Sequence, residues 1–364
     1  MNTTHRSRAG RQSRRAIATE IMRRSIVLTA LATCLVLPAQ AQRKVGTTAA
    51  TFLTLGTGAR GVALGDAYMA SARGADALFW NPAGMAIPVD DTPMGSIFFT
   101  NYDWVVDIGY NAVGFSLPVA SNRMLGVSFA KVDYGRMDVT TLDEPDGTGE
   151  RFGASDMVFG LSYAQPLTNQ FYFGGTAKYV SQKIWDMSAN TVAIDIGFVL
   201  ITRYVNGIRL AATMQNFGGK MQMDGVNTEI FVDPFNETDG NNESIPVRYK
   251  LDEWSLPISF KFGIAVPVVK TKFVQWELMA ESHQTNDQYL NADVGSELRF
   301  MFNGTNLNFR AGYRDLPLND IDTHAVFGAG LDTPIRGLRF GFDAAYIPFD
   351  RLGSATLIDL RLSF

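Results

Sequence analysis

Histidine, serine and aspartate residues at two points of the chain could in principle form a hydrolase site. His283 follows Ser282, and His324 lies close to Asp320 and Asp322. A serine nucleophile needs a histidine base within hydrogen-bond reach and an acid that orients the base. No spacing in the sequence fixes that geometry, so we interpret both histidines as surface-loop residues. Neither has a histidine partner at i, i+4, so no zinc site is expected.

A second motif is Gly56-Thr57-Gly58-Ala59-Arg60-Gly61, which fits the pattern G-x-G-x-x-G. The dinucleotide fingerprint needs a hydrophobic strand before the motif and a βαβ unit around it, and the sequence predicts neither. We therefore interpret these glycines as a tight turn and expect no cofactor. The acidic loops 143–147 and 233–243 do not fit the twelve-residue calcium pattern, so we expect solvated turns and no bound metal.

The N-terminus has the features of an export signal. Two arginines at 23–24 precede an apolar run over 26–37, and Ala39-Gln40-Ala41 fits a signal-peptidase site. We predict that residues 1–41 are a signal peptide, with Met22 as an alternative start. The remaining chain has no cysteine and holds 25 basic and 35 acidic residues, a net charge of −10. Thiol chemistry is excluded there, and the acidic balance argues against nucleic acid as a partner.

From residue 94 onward, apolar and polar residues alternate in segments of about ten residues, which predicts strands and not amphipathic helices. Short connections with Pro, Asn or Gly alternate with longer, more acidic ones, as in a transmembrane β-barrel. A soluble β-sandwich or propeller could also alternate, but would not explain this phasing. We count fourteen strands: 94–101, 107–118, 122–133, 154–165, 169–182, 190–202, 206–217, 254–266, 270–282, 288–301, 304–315, 322–333, 336–348 and 353–364.

The last predicted strand supports the barrel. It has apolar residues at every second position and ends on an aromatic residue, as outer-membrane barrels do at their assembly signal: Leu360, Leu362 and Phe364. The fold class predicted is an all-β membrane protein, a 14-stranded antiparallel transmembrane β-barrel over 94–364 with an N-terminal hatch, residues 42–93, in the lumen. An even number of strands predicts that both termini are periplasmic, with the protein in the outer membrane of a Gram-negative type cell.

The side chains predicted to face the lumen carry nearly balanced charge. A selective ion pore would favour rings of one sign. Balanced charges are typical of ion-pair networks in a filled lumen, but a water-lined wall of mixed charge fits them equally well. From residue 206 the predicted set is Arg209, Lys261, Glu277, Glu281, Asp293, Glu297, Arg299, Arg310, Arg314, Arg339, Asp343, Asp359 and Arg361.

A filled lumen needs a plug, and the Gly- and Ala-rich stretch 42–93 is the candidate. We predict a short helix around Asp66 to Arg73. In Asn81-Pro82-Ala83-Gly84, Pro82 restricts Asn81 to extended backbone, and the Asn81 side chain can bond nearby backbone groups. Gly84 permits a positive φ. We interpret this motif as the structural turn of a hatch and not as a catalytic feature.

The segments GARGVALGDAYMA and GADALFWNPAGMA resemble the PorV/PorQ family of FadL-like outer-membrane barrels. The resemblance implies fourteen strands, an N-terminal hatch and a non-enzymatic role in type IX protein secretion. Members escort or display cargo, binding its C-terminal β-domain, so secretion components and cargo domains are the implied partners, beside outer-membrane lipid and the barrel-assembly machinery. The hatch residues concerned are Gly56, Gly58, Gly61, Gly65, Asp66, Asp76, Trp80, Asn81, Pro82 and Gly84.

The 218–253 connection is the first candidate for a partner-docking surface, with the 134–153 connection second. Connections this long are usually functional or disordered. Its apolar residues are Met221, Met223, Phe231, Phe235 and Tyr249. The alternative function is a FadL-like transporter of hydrophobic small molecules such as fatty acids, which would need an apolar pocket in the lumen.

Overall fold

Fourteen antiparallel strands form a closed barrel, which confirms the predicted fold. The computed structural model describes residues 46–88, 95–104, 106, 108–120, 123–232, 245–316, 325–349 and 353–364. Each strand pairs with the next, and β14 pairs with β1 from Ser363 opposite Ser96 to Thr356 opposite Asp103. The strands are β1 (Ser96–Asp103), β2 (Gly109–Ala120), β3 (Arg123–Asp138), β4 (Arg151–Pro166), β5 (Phe171–Ile184), β6 (Met187–Ile201), β7 (Arg209–Gly218), β8 (Ser259–Lys270), β9 (Val274–Thr285), β10 (Asn291–Phe302), β11 (Thr305–Leu316), β12 (Ala325–Ile335), β13 (Leu338–Phe349) and β14 (Gly353–Ser363).

The described helices are short pieces. They are α1 (Ala59–Val62), α2 (Ala77–Trp80) and the 3₁₀ turns Thr51–Thr54, Gly74–Asp76, Pro82–Ala86 and Val226–Thr228. Within the described part of the chain, no helix has the length and apolar character needed to cross a membrane. The predicted signal peptide, His324 and Phe235 lie outside the described residues.

The two ends of the barrel differ. Strands β2–β3, β4–β5, β6–β7, β8–β9, β10–β11 and β12–β13 are joined by short turns at one end, here the short-turn end. The opposite, long-loop end carries the longer connections, including 139–150 between β3 and β4 and 219–258 between β7 and β8. The predicted alternation of short and long connections is therefore present. Two connections at this end are exceptions: residues 185–186 join β5 to β6, and residues 350–352 join β13 to β14.

The barrel is apolar outside and polar inside, the reverse of a soluble sandwich. Large apolar side chains at alternate strand positions are exposed on the outer wall, for example Phe159, Leu161, Phe262 and Phe309. A soluble protein would hide such a band, whereas a barrel in lipid needs it. Closure also pairs the backbone groups that hydrocarbon cannot solvate.

Residues 46–88, here the luminal segment, lie inside the ring. This segment contacts all fourteen strands: Ala75 bonds Ser96 on β1, for example, and Arg60 bonds Glu297 on the far wall, on β10. A single segment can reach every strand of a closed ring only from within. Apolar residues of the luminal segment, including Leu64, Met69 and Leu78, pack against apolar residues of the wall and form a core between the two.

The luminal segment runs along the barrel axis. Thr48 pairs with Ser255 and bonds Asp287, both at the long-loop end. Pro88, at the other end of the segment, lines a cavity together with short-turn residues. Phe364 bonds Gly95 just before β1, also at the short-turn end. The described chain therefore begins and ends at opposite ends of the barrel, because this segment threads the lumen before β1. The predicted mature start at residue 42 lies outside the described residues, so the expectation that both termini are periplasmic stays a prediction.

Two local expectations within the segment are wrong. Residues 64–71 form successive turns and not a helix, because Gly65 and Asp66 both have positive φ. Gly84 does not have a positive φ; a side chain there would overlap the carbonyl of Ala72 and the side chain of Ala77. Gly84 is thus required for close packing and not for its backbone conformation.

Glycines on the inner wall let the luminal segment approach the strands closely. A Cβ at Gly174 of β5 would overlap the backbone of Pro82 and Ala83, and one at Gly312 of β11 would overlap Leu64 and Gly65. A Cβ added at Gly175, the next residue of β5, would lie at an ordinary contact distance from the carbonyl oxygen of Asp195. Successive residues of a strand point to opposite faces, so Gly175 faces outward.

We predict that Gly174→Leu displaces the luminal segment while the barrel still closes. The inserted side chain overlaps backbone that cannot rotate away, and overpacking of this kind costs about 1–3 kcal/mol or more. Trypsin should then cleave at Arg60 or Arg73 in the purified, heat-modifiable barrel. The matched control is Gly175→Leu, which adds an apolar group on the lipid face and should leave the protein resistant. Equal resistance of both variants would contradict the packing described here.

Candidate functional site

A chain of buried, alternating charges joins the luminal segment to the wall. Arg60 of α1 lies 2.9 Å from Glu297 of β10, and Glu297 lies 2.6 Å from Nε of Arg310 on β11. Arg310 Nη1 lies 2.5 Å from Asp343 of β13. Asp343 also pairs with Arg361 of β14, which reaches Asp76 of the luminal segment at 3.4 Å.

The charge chain closes on itself within the luminal segment. The Tyr68 hydroxyl donates a hydrogen bond of 3.2 Å to Asp76, and the Arg60 guanidinium lies 5.4 Å from the centre of the Tyr68 ring. Burial raises the pKa of Asp76, although Arg361 and Arg60 oppose the shift. Two of these six charges, Arg60 and Asp76, come from the luminal segment, and their ionic partners in the charge chain lie on the wall.

The other predicted lumen charges also lie inside, and several form pairs. Arg209 pairs with Glu277, Lys261 lies 3.6 Å from Glu281, and Arg299 lies 2.7 Å from Glu297. Arg314 reaches Asp66 at 3.4 Å, and Asp359 accepts the backbone N–H of Arg60. Arg339 lines the cavity described below. Burial raises the pKa of Asp66 to about 6, while Arg314 acts in the opposite direction.

His283 is not a loop residue, contrary to expectation. It lies on β9 with its ring 2.9 Å from Asp293 and 3.5 Å from Asp315, and its side chain is mostly buried. Ser282 pairs with Phe262, an exposed residue of the outer wall. Adjacent strand residues face opposite sides, so Ser282 and His283 are separated by the sheet. The Ser282–His283 pair therefore cannot act as nucleophile and base.

The Asn81-Pro82-Ala83-Gly84 motif fixes the luminal segment to β5 and β6. Asn81 is fully buried and extended (φ −157°), and its side chain accepts the N–H of Ala83 while donating to the carbonyl of Phe198. A side chain at Gly197 would overlap the Asn81 amide. Trp80 donates to the Thr57 carbonyl at 2.8 Å, which joins the motif to the glycine-rich run.

The glycines of the G-x-G-x-x-G run serve packing. Side chains at Gly56, Gly58 and Gly61 would meet Asp66, Phe98 and Trp80 respectively. Gly58 has φ +96° and precedes α1, so a turn is present where the sequence predicts one. Protein atoms therefore occupy the space next to each glycine.

A cavity among the described residues opens at the short-turn end. It has a volume of about 900 Å³ and is lined on the inner side by Arg60, Arg73 and Asp76 of the luminal segment. Its wall residues include Arg209, Glu277, Glu297, Arg299, Asp332 and Arg361. This lining is charged, unlike the apolar pocket that a carrier of hydrophobic molecules needs.

The long-loop end presents an apolar strand pair. Glu229–Val232 pairs with Ile245–Arg248, and the neighbouring side chains of Phe231 and Tyr249 are 72% and 62% exposed. Met221, by contrast, is 2% exposed and packs in the core, and Met223 is partly buried against the same core. Met221 thus supports the loop from beneath, and the expectation that these methionines dock a partner stays a prediction.

Some charged residues of the lumen are absent from the predicted set. Asp332 of β12 lies 3.2 Å from Arg361, and Lys178 of β5 lies 2.6 Å from Asp195 of β6. The alternation that indicated the other wall positions would also have found Asp332, Lys178 and Asp195. Arg60 and Arg73 carried no such signal, because the luminal segment has no simple periodicity.

The closed ring, the apolar exterior and the charged, occupied interior together define an outer-membrane β-barrel of FadL-like fold. The family model described as type IX secretion system protein PorV matches residues 38–242, which is more than half of the chain. The chain therefore belongs to the PorV family. Among curated proteins, no match was found.

Solved structures similar to this chain include two toluene transporters and a FadL homologue. The Pseudomonas putida toluene transporter TodX has 13% identity and a TM-score of 0.51, covering 85% of this chain and 97% of its own. The Ralstonia pickettii toluene transporter TbuX has 10% identity and a TM-score of 0.50, with the same coverage of both chains. A Pseudomonas aeruginosa FadL homologue has 10% identity and a TM-score of 0.48, covering 89% and 99%. Identities this low establish the fold alone.

We predict that Arg310→Met lowers the free energy of unfolding by about 3 kcal/mol. Removing one member of a buried ion pair leaves uncompensated charge and costs about 3–5 kcal/mol; the remaining arginines near Glu297 and Asp343 favour the lower figure. Urea unfolding in lipid vesicles, followed by tryptophan fluorescence, measures the loss.

The matched control for this variant is Arg151→Met. Arg151 lies 2.8 Å from Asp138, but both side chains are more than half exposed. An exposed pair contributes about 0–1 kcal/mol. A loss for Arg310→Met no larger than that of the control would contradict a stabilising role for the buried network.

Proposed function

We propose that this protein is a non-enzymatic platform or shuttle of type IX secretion, which holds cargo proteins at the cell surface. Membership of the PorV family supports a role in this system. The observation that carries the proposal is the exposed apolar strand pair with Phe231 and Tyr249 at the long-loop end. Aromatic side chains of this exposure are typical anchors of protein interfaces.

The luminal segment serves, in this proposal, as a hatch that keeps the barrel shut. Its contacts with every strand and the six-membered charge chain support this assignment. A shut barrel cannot conduct secreted proteins, so cargo would be held by the loops and not passed through the lumen. The partners are then secretion components and cargo C-terminal domains, with outer-membrane lipid around the wall and the barrel-assembly machinery acting on β14 during insertion.

The long-loop end, in the same proposal, faces the cell exterior. Longer loops on the outside and short turns in the periplasm are the usual arrangement of these barrels. The short-turn end, with Phe364, would then be periplasmic, whereas Gly46 would lie at the outer end.

The alternative is transport of hydrophobic small molecules. TodX and TbuX are both toluene transporters. Copurified lipid or fatty acid in the lumen would favour it. The cavity at the short-turn end has a charged lining, so the residues described here favour the platform.

We predict that a cysteine at Phe231 reacts with a membrane-impermeant maleimide on intact cells. The predicted mature chain has no cysteine of its own, so labelling reports the introduced thiol alone. Asn206→Cys, in a short turn, is the matched control and should react only after the outer membrane is opened. The reverse pattern would overturn the orientation.

We predict that a photo-crosslinking amino acid at Phe231 or Tyr249 captures secretion components or cargo in living cells. The control position is Phe309, which is also an exposed aromatic residue (53%) but lies on the outer wall of β11 and should contact lipid. Mass spectrometry identifies the adducts. Protein adducts no more frequent at 231 or 249 than at 309 would contradict the platform.

A further inference from the structure

Charge is unevenly distributed along the lumen, although the whole is nearly balanced. The short-turn cavity of about 900 Å³ is lined by eight basic and four acidic side chains, an excess of four positive charges. The basic residues are Arg60, Arg73, Arg209, Lys270, Lys272, Arg299, Arg339 and Arg361, and the acidic ones are Asp76, Glu277, Glu297 and Asp332. Low-dielectric walls concentrate such a field within a cleft.

The four carboxylates of this cavity are already paired with arginines. Glu277 pairs with Arg209, Glu297 with Arg60, Arg299 and Arg310, and both Asp76 and Asp332 with Arg361. The cavity's own acids therefore have little capacity to neutralise further cations. An excess of positive charge facing a water-accessible space is the condition for attracting an anion.

Arg73 is a cation of this cavity with little compensation. Its guanidinium donates to the carbonyl of Pro88 at 3.3 Å, and it makes no ion pair with the residues that the structure describes. Burial and the nearby charge of Arg209 lower its pKa to about 10, so it remains protonated at neutral pH. Nε of Arg361, in the same cavity, is buried and has no partner among the described atoms.

We propose that the short-turn cavity binds a multivalent oxyanion of the phosphate type. Guanidinium groups bind phosphate oxygens through paired N–H donors, and several arginines converge on this space. The excess of four positive charges suits an ion of more than one negative charge. The site is separate from the apolar strand pair, which lies at the opposite end of the barrel.

The test is a calorimetric titration of the full-length mature barrel, in a neutral detergent at pH 7 and low salt, with inorganic pyrophosphate as the probe. We expect saturable binding that weakens at least tenfold in Arg73→Gln and is largely retained in Arg73→Lys. The matched control is Arg151→Gln, which removes one exposed arginine at the long-loop end and should leave the affinity unchanged. Heat-modifiable migration verifies that each variant is folded.

A second arm separates a free ion from carboxylates of the chain itself. Asp90 and Asp91 follow Pro88 by two and three residues in the sequence, so their carboxylates are the ones this arm tests as competitors. Tighter pyrophosphate binding by the double variant Asp90→Asn, Asp91→Asn would assign them as competitors for the site, and unchanged affinity would leave the free ion as its occupant. Absence of saturable binding in both proteins would overturn the proposal, as would equal weakening by Arg73→Gln and Arg151→Gln.

Discussion

The alternating charge chain from Arg60 through Glu297, Arg310, Asp343 and Arg361 to Asp76 is the constraint that makes the interior one unit. Charges removed from water cost several kcal/mol each unless every member has a partner. Four members come from the wall and two from the luminal segment. The wall members also pair with one another, whereas Arg60 and Asp76 have their ionic partners on the wall, so the network favours a single placement of the segment over any other position in the lumen.

The bilayer imposes the rest of the architecture. Strands in hydrocarbon must close into a ring, and a ring of fourteen strands encloses a lumen that needs filling, water or ions. In this protein the filling is a Gly- and Ala-rich segment, which packs closely because wall residues such as Gly174 and Gly312 have no side chain. Small residues on both sides, the apolar core between segment and wall and the network of buried charges together fill the lumen.

The two ends of the filled barrel are chemically distinct. The long-loop end carries an exposed apolar strand pair, and the short-turn end carries a cavity with excess positive charge. The luminal segment contributes to both, since Thr48 bonds the loop region while Arg73 lines the cavity. The luminal segment fills the barrel between its two ends. A partner at one end and an anion at the other would therefore bind on opposite sides of this packed segment.

The sequence by itself determined the strands. Period-two alternation gave all fourteen within a few residues, and the same alternation placed Arg310 and Asp343 on the inner face, because a strand has only two faces. Local turn chemistry also predicted the extended backbone of Asn81. Tertiary structure decided what alternation cannot encode: the threading of residues 46–88 along the axis, the packing role of Gly84, the burial of Met221 and the pairing of His283 with Asp293. These depend on which distant residues meet across the lumen, and no local pattern in the chain specifies such contacts.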